Sequence, residues 1–325
     1  MKFLVVRFSS IGDIVLTFPV VDALKEKYSN AEIHYISKKE NATLLKACQA
    51  IDKTFFIDKN IFEVLAELKN EKYDYVIDLH KNLRTQTLKN FLRVMSFSYP
   101  KLNFKKWLYV QLKLDFLGEK HVVERYFISL KKLNIVYNSN KLNFHIPDQF
   151  QLELSQYGMT EKKYNCIVLG AKYATKKLPL SKLLPIVEKF KENLVLLGGK
   201  EEEEIANEIV KANPKNKIVN FVGKLNIIES AFVLKYAKTI LTNDTGLMHI
   251  ASSFDCKIIV TWGNTTPKFG MYPYAKKESK VVDFEVEQLR CRPCSKIGYS
   301  KCPKRHFSCM NDLDEAKILE AFCED

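Results

Sequence analysis

The stretch ILTNDTGLMHIA, residues 240–251, changes from the pattern of a buried β-strand to that of a helix within a few residues. Its opening apolar and β-branched run predicts a strand of a parallel sheet, and Leu247 and Ile250 then recur at helical spacing. Asp244 and Thr245, between the two parts, are residue types that cap helices. The stretch therefore predicts a strand, a tight turn and a helix, which is the unit from which α/β folds are built.

The turn of this unit has the chemistry of an anion site. A helix start presents backbone N–H groups that lack partners within the helix, and these groups favour phosphate. Gly246 lets a phosphate approach the backbone, and His249, about one turn further on, can point in the same direction. We expect Asp244, Thr245 and Gly246 to bind phosphate, although an ordinary capped helix would show the same pattern.

The composition favours two domains and an anionic partner. The chain has 325 residues, 46% of them hydrophobic, enough for two cores at about 150 residues each. Lys and Arg total 51 against 38 Asp and Glu, a formal net charge of +13, which suits nucleic acid, a membrane surface or an acidic substrate. No glycine- and aromatic-rich RNA-binding signature is found, so nucleic acid is not an expected partner.

The expected location is the cytoplasm, with contact to the inner face of the membrane. No apolar run approaches the roughly 18 residues of a membrane span, and the apolar start of the chain is too short for a signal peptide. Residues 81–113 contain eight Lys or Arg and no acid, with aromatic residues interleaved. This segment predicts an amphipathic surface that meets lipid headgroups or an acidic ligand; the alternative is a solvated helix face over an ordinary core.

Strands and helices alternate along most of the chain, which predicts doubly wound parallel sheets. Residues 2–8 form a first strand, SSIGD follows at 9–13, and helical spacing begins, with Pro19 predicting a kink or a later helix start. The segment HIPD at 145–148 resembles a linker. We expect an N-terminal domain over 1–147, a C-terminal domain over 148–310, and a helix within 311–325 that packs back on either domain, the first being favoured.

Apolar runs and helical spacing predict the remaining strands and helices. The predicted strands are 32–37, 53–57, 75–78, 165–170, 193–197, 218–222, 239–242 and 257–261. The predicted helices are 42–48, 61–68, 201–210, 227–236, 246–253 and 312–322.

Asp13 and Lys176 are further candidates for chemistry. Asp13 is a carboxylate at a turn into a helix, so it is available as a general base, or it is a plain helix cap. Lys176 or Lys177 supplies a cation for a phosphate held at the Asp244 turn.

Four of the eight cysteines cluster near the C-terminus. Cys291 and Cys294 form a C-x-x-C pair, and Cys302 and Cys309 follow, with His306 between them. The spacing is compatible with a structural metal site, with packed free thiols or with a disulfide. The other cysteines are scattered, as expected for reduced residues of a cytosolic protein.

Several motifs, in order along the chain, resemble the lipopolysaccharide heptosyltransferases, which form glycosyltransferase family 9. They are RFSSIGDIVLTFP at 7–19, DLHKNLRT at 78–85, NDTGLMH at 243–249 and WGNTTP at 262–267. Two positions depart from the family pattern: Leu178 stands where the Lys-x-Trp-Pro element has tryptophan, and Asn264 replaces the proline of Gly-Pro-Thr.

The resemblance implies the GT-B fold, in which two Rossmann-like, doubly wound parallel-sheet domains face a cleft. It also implies an inverting transfer of heptose from ADP-L-glycero-D-manno-heptose to an acidic lipopolysaccharide-core or lipid A–Kdo acceptor, without a metal cofactor. Asp13 matches the proposed catalytic base. The residues that match donor-binding positions are Lys176, Glu229, Asp244, Thr245, Gly246 and His249, and the expected acceptor-binding residues are His80, Lys81 and Arg84.

Two other functions remain open from the sequence. One is a family 9 transferase that uses a different nucleotide sugar, and the other is a non-catalytic binder of anionic membrane or nucleic acid, which rests on net charge alone. The presence of both Asp13 and the Asp244 turn favours an enzyme that acts peripherally at the inner face of the cytoplasmic membrane.

Overall fold

The computed structural model describes residues 1–138, 142–275 and 280–324, and the chain divides into two compact units. Unit 1 comprises Met1–Leu102 and Lys120–Pro147, and unit 2 comprises Asn103–Glu119 and Asp148–Asp325. The units meet in sequence at Pro147, where the linker was expected. The expected N-terminal domain included residues 103–119, which instead belong to unit 2.

Unit 1 contains a five-stranded parallel sheet of order β3-β2-β1-β4-β5. Its strands are β1 (Lys2–Val6), β2 (Glu32–Lys38), β3 (Lys53–Ile57), β4 (Tyr75–Asp78) and β5 (Met95–Ser98). The helices up to residue 127 are α1 (Ile11–Val15), α2 (Phe18–Lys27), α3 (Ala42–Leu45), α4 (Leu65–Asn70), α5 (Leu83–Leu92), α6 (Asn103–Leu112) and α7 (Val122–Phe127), of which α6 belongs to unit 2.

The order of this sheet reverses between β1 and β4. Val6, the last residue of β1, is in register with Ile36 of β2 on one side and Asp78 of β4 on the other. Loops after β1 and β4 therefore leave the same carboxyl edge and diverge, which is where ligands bind in doubly wound sheets.

Two short helices lie at the start of unit 1, with the break between them just before Pro19. Helix α1 ends at Val15, and Pro19 lies in the first turn of α2, where its missing N–H needs no partner. The sequence predicted a kink or a later helix start; the helix that contains Pro19 starts at Phe18, and a separate short helix precedes it.

Unit 2 contains a six-stranded parallel sheet of order β11-β10-β9-β6-β7-β8. Its strands are β6 (Asn165–Val168), β7 (Leu194–Leu197), β8 (Ile218–Asn220), β9 (Thr239–Asn243), β10 (Lys257–Trp262) and β11 (Val281–Glu285). After residue 148 its helices are α8 (Leu180–Lys189), α9 (Glu203–Ala212), α10 (Ile227–Lys235), α11 (Gly246–Ala251), α12 (Ser308–Asn311) and α13 (Glu315–Cys323). The strand order reverses between β6 and β9, so residues 240–251 lie at the switch point of this sheet.

The C-terminal helix α13 packs within unit 2, and the expectation that it packs back on the N-terminal domain is wrong. The ring of Phe322 lies 4.7 Å from that of Phe190, and Lys182 Nζ of α8 lies 2.6 Å from Glu315 Oε2. Phe322 and Ile318 are buried in the core of this unit, so apolar burial holds the helix there.

Helix α6 differs from the other long helices because none of its residues is buried. In the described ranges, no helix has the length and apolar character that crossing a membrane requires.

Candidate active site

Asn243 fixes the position of the turn that follows β9. Its Nδ2 donates to the carbonyl oxygens of Val168 and Leu169 at 3.2 and 3.3 Å, at the end of β6. Its Oδ1 accepts from the backbone N–H of Leu178 at 3.0 Å and from Thr261 Oγ1 at 2.9 Å. Both amide donors and the carbonyl oxygen are used, so a buried side chain ties the turn to two neighbouring strands and to the loop that carries Lys176.

Lys176 and Asp244 are brought together at this edge of the sheet. Lys176 Nζ lies 2.6 Å from Asp244 Oδ2, and Thr265 Oγ1 donates to the same oxygen at 2.7 Å. The side chains of Lys176 and Asp244 are 15% and 11% exposed, enough for a ligand to reach the ammonium group. Because a carboxylate and a phosphate repel each other, Asp244 is placed to hold Lys176, and its contact with a phosphate stays a prediction.

The start of α11 lies next to this ion pair in sequence and is partly exposed. Thr245 is the N-cap residue, with extended backbone angles, and Gly246 is the first residue of the helix. Both residues are half-buried, so the N–H groups of the first turn can be reached. His249 is 3% exposed, so its side chain lies inside the unit.

Glu229 has a local structural role at the start of α10. Its Oε2 accepts a hydrogen bond from the backbone N–H of Asn226 at 2.8 Å, and Asn226 Oδ1 in turn accepts from the N–H of Glu229 at 3.1 Å. This reciprocal capping explains the glutamate without a ligand. Its contact with a donor ribose stays a prediction.

In unit 1, Arg7 holds Asp13. Arg7 lies just after β1, is buried, and places Nη2 2.6 Å from Asp13 Oδ1. Its Nε and Nη1 donate to the carbonyl oxygens of Ser9 and Leu79 at 2.7 and 2.6 Å. Asp13 Oδ2 accepts from Ser10 Oγ at 2.8 Å, so Asp13 caps α1 and pairs with Arg7 while 23% of its side chain stays exposed.

The arginine of this pair keeps its charge. Burial alone lowers the pKa of Arg7, but the negative charge of Asp13 and the neighbouring Tyr126 and Tyr99 outweigh burial and raise it. A permanently charged guanidinium at 2.6 Å favours the ionised form of Asp13. Sequence reasoning missed Arg7, because an arginine at the end of a strand gives no sign of being buried.

Asp78 organises the loop that follows β4. It is fully buried, and its Oδ1 accepts from the backbone N–H groups of His80 and Lys81 at 3.1 and 2.7 Å. Asp78 Oδ2 lies 3.0 Å from Lys89 Nζ of α5, which compensates its charge. The sequence signal for a side chain that accepts hydrogen bonds from the loop backbone is an aspartate at the end of a strand, just before a turn.

The expected acceptor-binding residues differ in their surroundings. The ring of His80 lies 5.0 Å from that of Phe8, and burial, together with the charges of Arg7 and Lys101, lowers the pKa of His80 to about 4. Lys81 Nζ donates to the carbonyl oxygen of Tyr99 at 3.1 Å. Arg84 is exposed in the first turn of α5. His80 and Lys81 thus lie at the same sheet edge as Asp13, and Arg84 lies on the following helix.

The C-terminal cysteines are free thiols, as are the other four, and all eight lie in the described part of the chain. Cys291 Sγ lies 3.7 Å from His306 Nε2. Burial, reinforced by the other thiols of the cluster, raises the pKa of Cys294, and that of Cys309 to about 12. These thiols do not reach the spacing of a metal cage: among described residues, only Glu32, His34 and Glu71 bring three candidate ligand atoms within 4.8 Å.

The Glu32, His34 and Glu71 group is an ion-pair network. Lys2 Nζ lies 3.1 Å from Glu32 Oε2 and 2.7 Å from Glu71 Oε2, and Lys53 Nζ lies 2.5 Å from Glu71 Oε1. Hydrogen bonds from Lys2 and Lys53 lower the pKa of Glu71 to about 2. The two lysines already satisfy the carboxylates, so this group gives no reason to assign a metal.

Two α/β units, each built on a doubly wound parallel sheet, are the architecture of the GT-B class of glycosyltransferases. The chain belongs to glycosyltransferase family 9, the heptosyltransferases, whose family model matches residues 61–300. It is therefore a glycosyltransferase of lipopolysaccharide biosynthesis, and the alternative of a non-catalytic binder is set aside.

The chain is similar over most of its length to known members. It is 25% identical over 322 residues to lipooligosaccharide heptosyltransferase 2 of Campylobacter jejuni subsp. jejuni serotype O:6, covering 95% of this chain and 94% of that protein. A family 9 glycosyl transferase from Veillonella parvula superposes with a TM-score of 0.79 at 20% identity, covering 98% of this chain and 95% of the other. E. coli ADP-heptose lps heptosyltransferase II gives 0.73 at 17% identity, covering 99% and 97%.

A more distant fold match contains a metal. The iron-containing dodecameric glycosyltransferase TibC from enterotoxigenic E. coli H10407 superposes with a TM-score of 0.57 at 13% identity, covering 98% of this chain and 74% of that chain.

Proposed function

We propose that this glycosyltransferase moves a heptose, or a similar sugar, from an ADP-sugar to an acidic acceptor of the lipopolysaccharide core or lipid A–Kdo type, with inversion at the anomeric carbon. The observation that carries the proposal is the Lys176–Asp244–Thr265 cluster beside the partly exposed start of α11. An oriented ammonium group and free backbone N–H groups are the donors that a sugar-nucleotide diphosphate needs.

The choice of adenine rests on the relatives. One of the structures with the same fold is named an ADP-heptose enzyme, and the chain aligns with lipooligosaccharide heptosyltransferases over nearly its whole length. Lys176 and the turn formed by Asp244, Thr245 and Gly246 are the proposed diphosphate site. Glu229 is the proposed ribose contact, and His249 supports the turn from inside the unit.

In the proposed reaction, an acceptor hydroxyl attacks the anomeric carbon of the donor. Its proton passes to Asp13, the new glycosidic C–O bond forms, and the bond from the anomeric carbon to the diphosphate oxygen breaks. Negative charge gathers on the departing diphosphate, where Lys176 and the N–H groups at the α11 start stabilise it. A single displacement inverts the anomeric centre. These donors supply the positive charge that such a leaving group requires, so no metal cofactor is assigned to this step.

The acceptor is proposed to meet unit 1. His80, Lys81 and Arg84 follow β4 on the edge that carries Asp13, and two of the three are cationic. Such residues suit the carboxylates and phosphates of an acidic glycolipid. Because that acceptor is anchored in lipid, we place the enzyme in the cytoplasm, peripherally on the inner face of the cytoplasmic membrane, with no nucleic-acid partner.

A thermal-shift panel of ADP, UDP and GDP tests the donor assignment. At about 100 times its dissociation constant, a ligand stabilises the folded state by about 2.7 kcal/mol, which gives a clear rise in melting temperature. We expect ADP to give the largest shift and ADP-heptose to support transfer, with the product anomer read by NMR. A shift with UDP or GDP but none with ADP contradicts the adenine assignment.

A further inference from the structure

Helix α6 turns its apolar side outward. At 100° per residue, Trp107, Phe104, Leu108 and Leu112 fall within an arc of about 140° on one side of the helix. Phe104 and Trp107 are 70% and 51% exposed, and their rings stack on each other at 6.1 Å. A surface helix of a globular domain normally shows polar residues on this side, so the outward side needs an explanation.

The opposite side of α6 is the one that contacts unit 2. The ring of Tyr109 meets that of Phe269 edge-on at 6.1 Å, and Lys106 Nζ lies 5.3 Å from the centre of the Phe269 ring. Just after the helix, Lys113 Nζ donates to the carbonyl oxygen of Pro293 at 2.7 Å. These contacts fix which side of the helix faces unit 2. Phe104 and Trp107 are therefore exposed while the helix is packed in place.

Exposed apolar residues continue beyond the helix. Leu114 and Phe116 are also exposed, and we call Phe104, Trp107, Leu112, Leu114 and Phe116 the α6 surface. Lys105 is exposed on the helix beside the apolar side, and the chain as a whole carries a formal net charge of +13. A strip of exposed aromatic and aliphatic side chains with a lysine beside it, on a cationic protein, is complementary to a layer of anionic headgroups over hydrocarbon.

We propose that the α6 surface docks on an anionic phospholipid bilayer, with the side chains of Phe104 and Trp107 entering the boundary between headgroups and acyl chains. This inference rests on the proposed function, because a lipid-anchored acceptor requires the enzyme to work at a bilayer. It adds the segment that makes contact and its orientation: the Phe269 side of α6 faces the protein, and the Trp107 side faces the lipid.

Tryptophan fluorescence provides a direct test, because the chain has two tryptophans and only Trp107 is exposed. Trp262 is fully buried in β10. With phosphatidylcholine vesicles that contain phosphatidylglycerol, we expect a blue shift of the emission. Quenching is expected when the lipids carry brominated acyl chains, and the Trp107→Phe variant should lose both responses. Vesicles of phosphatidylcholine alone should bind more weakly, and added salt should weaken binding to the anionic vesicles.

A second variant tests vesicle binding without removing Trp107, the fluorescent residue. Phe104→Ser combined with Leu112→Ser keeps Trp107 and should weaken vesicle binding by about tenfold or more, because two apolar side chains are lost from the lipid contact. Phe62→Ser removes an equally exposed phenyl ring in unit 1 and should bind vesicles as the parent does. All variants should keep the ADP melting shift, which shows that they fold.

Three results overturn the inference: no quenching by brominated lipid, equal binding of parent and double-serine variant, or a parent dimer that the double-serine variant dissociates. The last result would make the α6 surface an interface between two copies of the chain. Vesicle binding is measured without donor or acceptor, and ADP stabilisation without vesicles. Failure of the docking surface and failure of the proposed function are therefore distinguishable.

Discussion

Lys176 Nζ lies 2.6 Å from Asp244 Oδ2, and this ion pair joins the loop after β6 to the turn after β9. Asp244 belongs to the motif that is proposed to bind the donor, but in the structure its carboxylate is paired with Lys176, the cation proposed to bind the donor diphosphate. Asp244 therefore holds the ammonium group of Lys176 beside the turn that leads into α11, and a bound diphosphate would share that group with the aspartate. This division of roles makes the two residues separable by mutation.

Lys176→Ala should weaken ADP binding by about tenfold or more, since it removes one charge-assisted contact to the diphosphate. Turnover should fall as well, because the lysine acts in both the ground state and the transition state. Isothermal titration measures the affinity. Lys172→Ala, an exposed lysine of the same loop, is the matched control and should bind ADP as the parent does. Equal affinity of parent and Lys176→Ala would remove Lys176 from the donor site.

Asp13→Asn should reduce turnover by at least about 100-fold, the lower end of what general-base catalysis contributes. The asparagine keeps the size of the side chain, so ADP affinity should change by less than about threefold. The loss of the ion pair with Arg7 should also lower the free energy of unfolding by about 1–3 kcal/mol, because a buried charge loses a partner. Initial rates and urea unfolding measure the two effects.

The comparison for Asp13 is Ser10→Ala, which removes the hydroxyl donor to Asp13 Oδ2 and keeps the carboxylate and its pairing with Arg7. It should retain most of the activity. Near-parent turnover in Asp13→Asn would leave Asp13 as a helix cap and ion-pair partner, and His80 would become the next candidate for the base.

His80 should make stability depend on pH in mildly acidic solution. Its folded-state pKa of about 4 lies below the ordinary value of 6.5, so between these pH values the unfolded chain binds a proton that the folded chain does not. Stability should therefore fall as pH falls from 6.5 to 4, by up to about 3 kcal/mol, and be unaffected by this group above pH 7. His80→Asn should lose this component in denaturant unfolding across that range. Identical pH profiles for parent and variant would contradict the shift.

Asn243→Asp should destabilise unit 2 by about 2–4 kcal/mol, because a carboxylate cannot donate to the carbonyl oxygens of Val168 and Leu169. The same change should weaken ADP binding, since Leu178 and the Lys176 loop lose their anchor. Asn207→Asp, exposed on α9, is the control and should unfold as the parent does. A variant as stable as the parent would show that this network does not hold the turn.

Metal content tests the cluster of Cys291, Cys294, Cys302 and Cys309. Because the thiols do not gather as a metal cage in the structure, we expect less than about a tenth of an equivalent of zinc or iron per chain in protein purified without chelator, with all eight thiols titratable. The C-x-x-C pair, with two thiols close behind it, is the reason for the measurement. About one equivalent of metal, with a melting temperature that falls on chelation, would show instead that the thiols rearrange around a metal.

Local features of the fold were readable from the sequence because they depend on residues close together in the chain. The strands at Lys53–Ile57 and Tyr75–Asp78 were predicted with their observed bounds. The break before Pro19 and the strand, turn and helix around Asp244 also follow from neighbouring residue types. Helix α8 was missed because Pro185 interrupts its pattern, and the edge strands β5 and β11 were also missed.

Contacts between distant segments were decided only by the tertiary structure. Nothing in the local pattern assigns α6 to unit 2 or places α13 against α8, because the spacing of apolar residues along a helix does not identify its partner. The same limit applies to the site. The sequence by itself determined that Asp13 and Asp244 stand at turns where parallel strands end, and it offered Lys176 or Lys177 as a nearby cation. That Arg7 neutralises Asp13, and that Asp244 holds Lys176, depends on which strands lie side by side, since strand order brings together side chains that the chain keeps far apart.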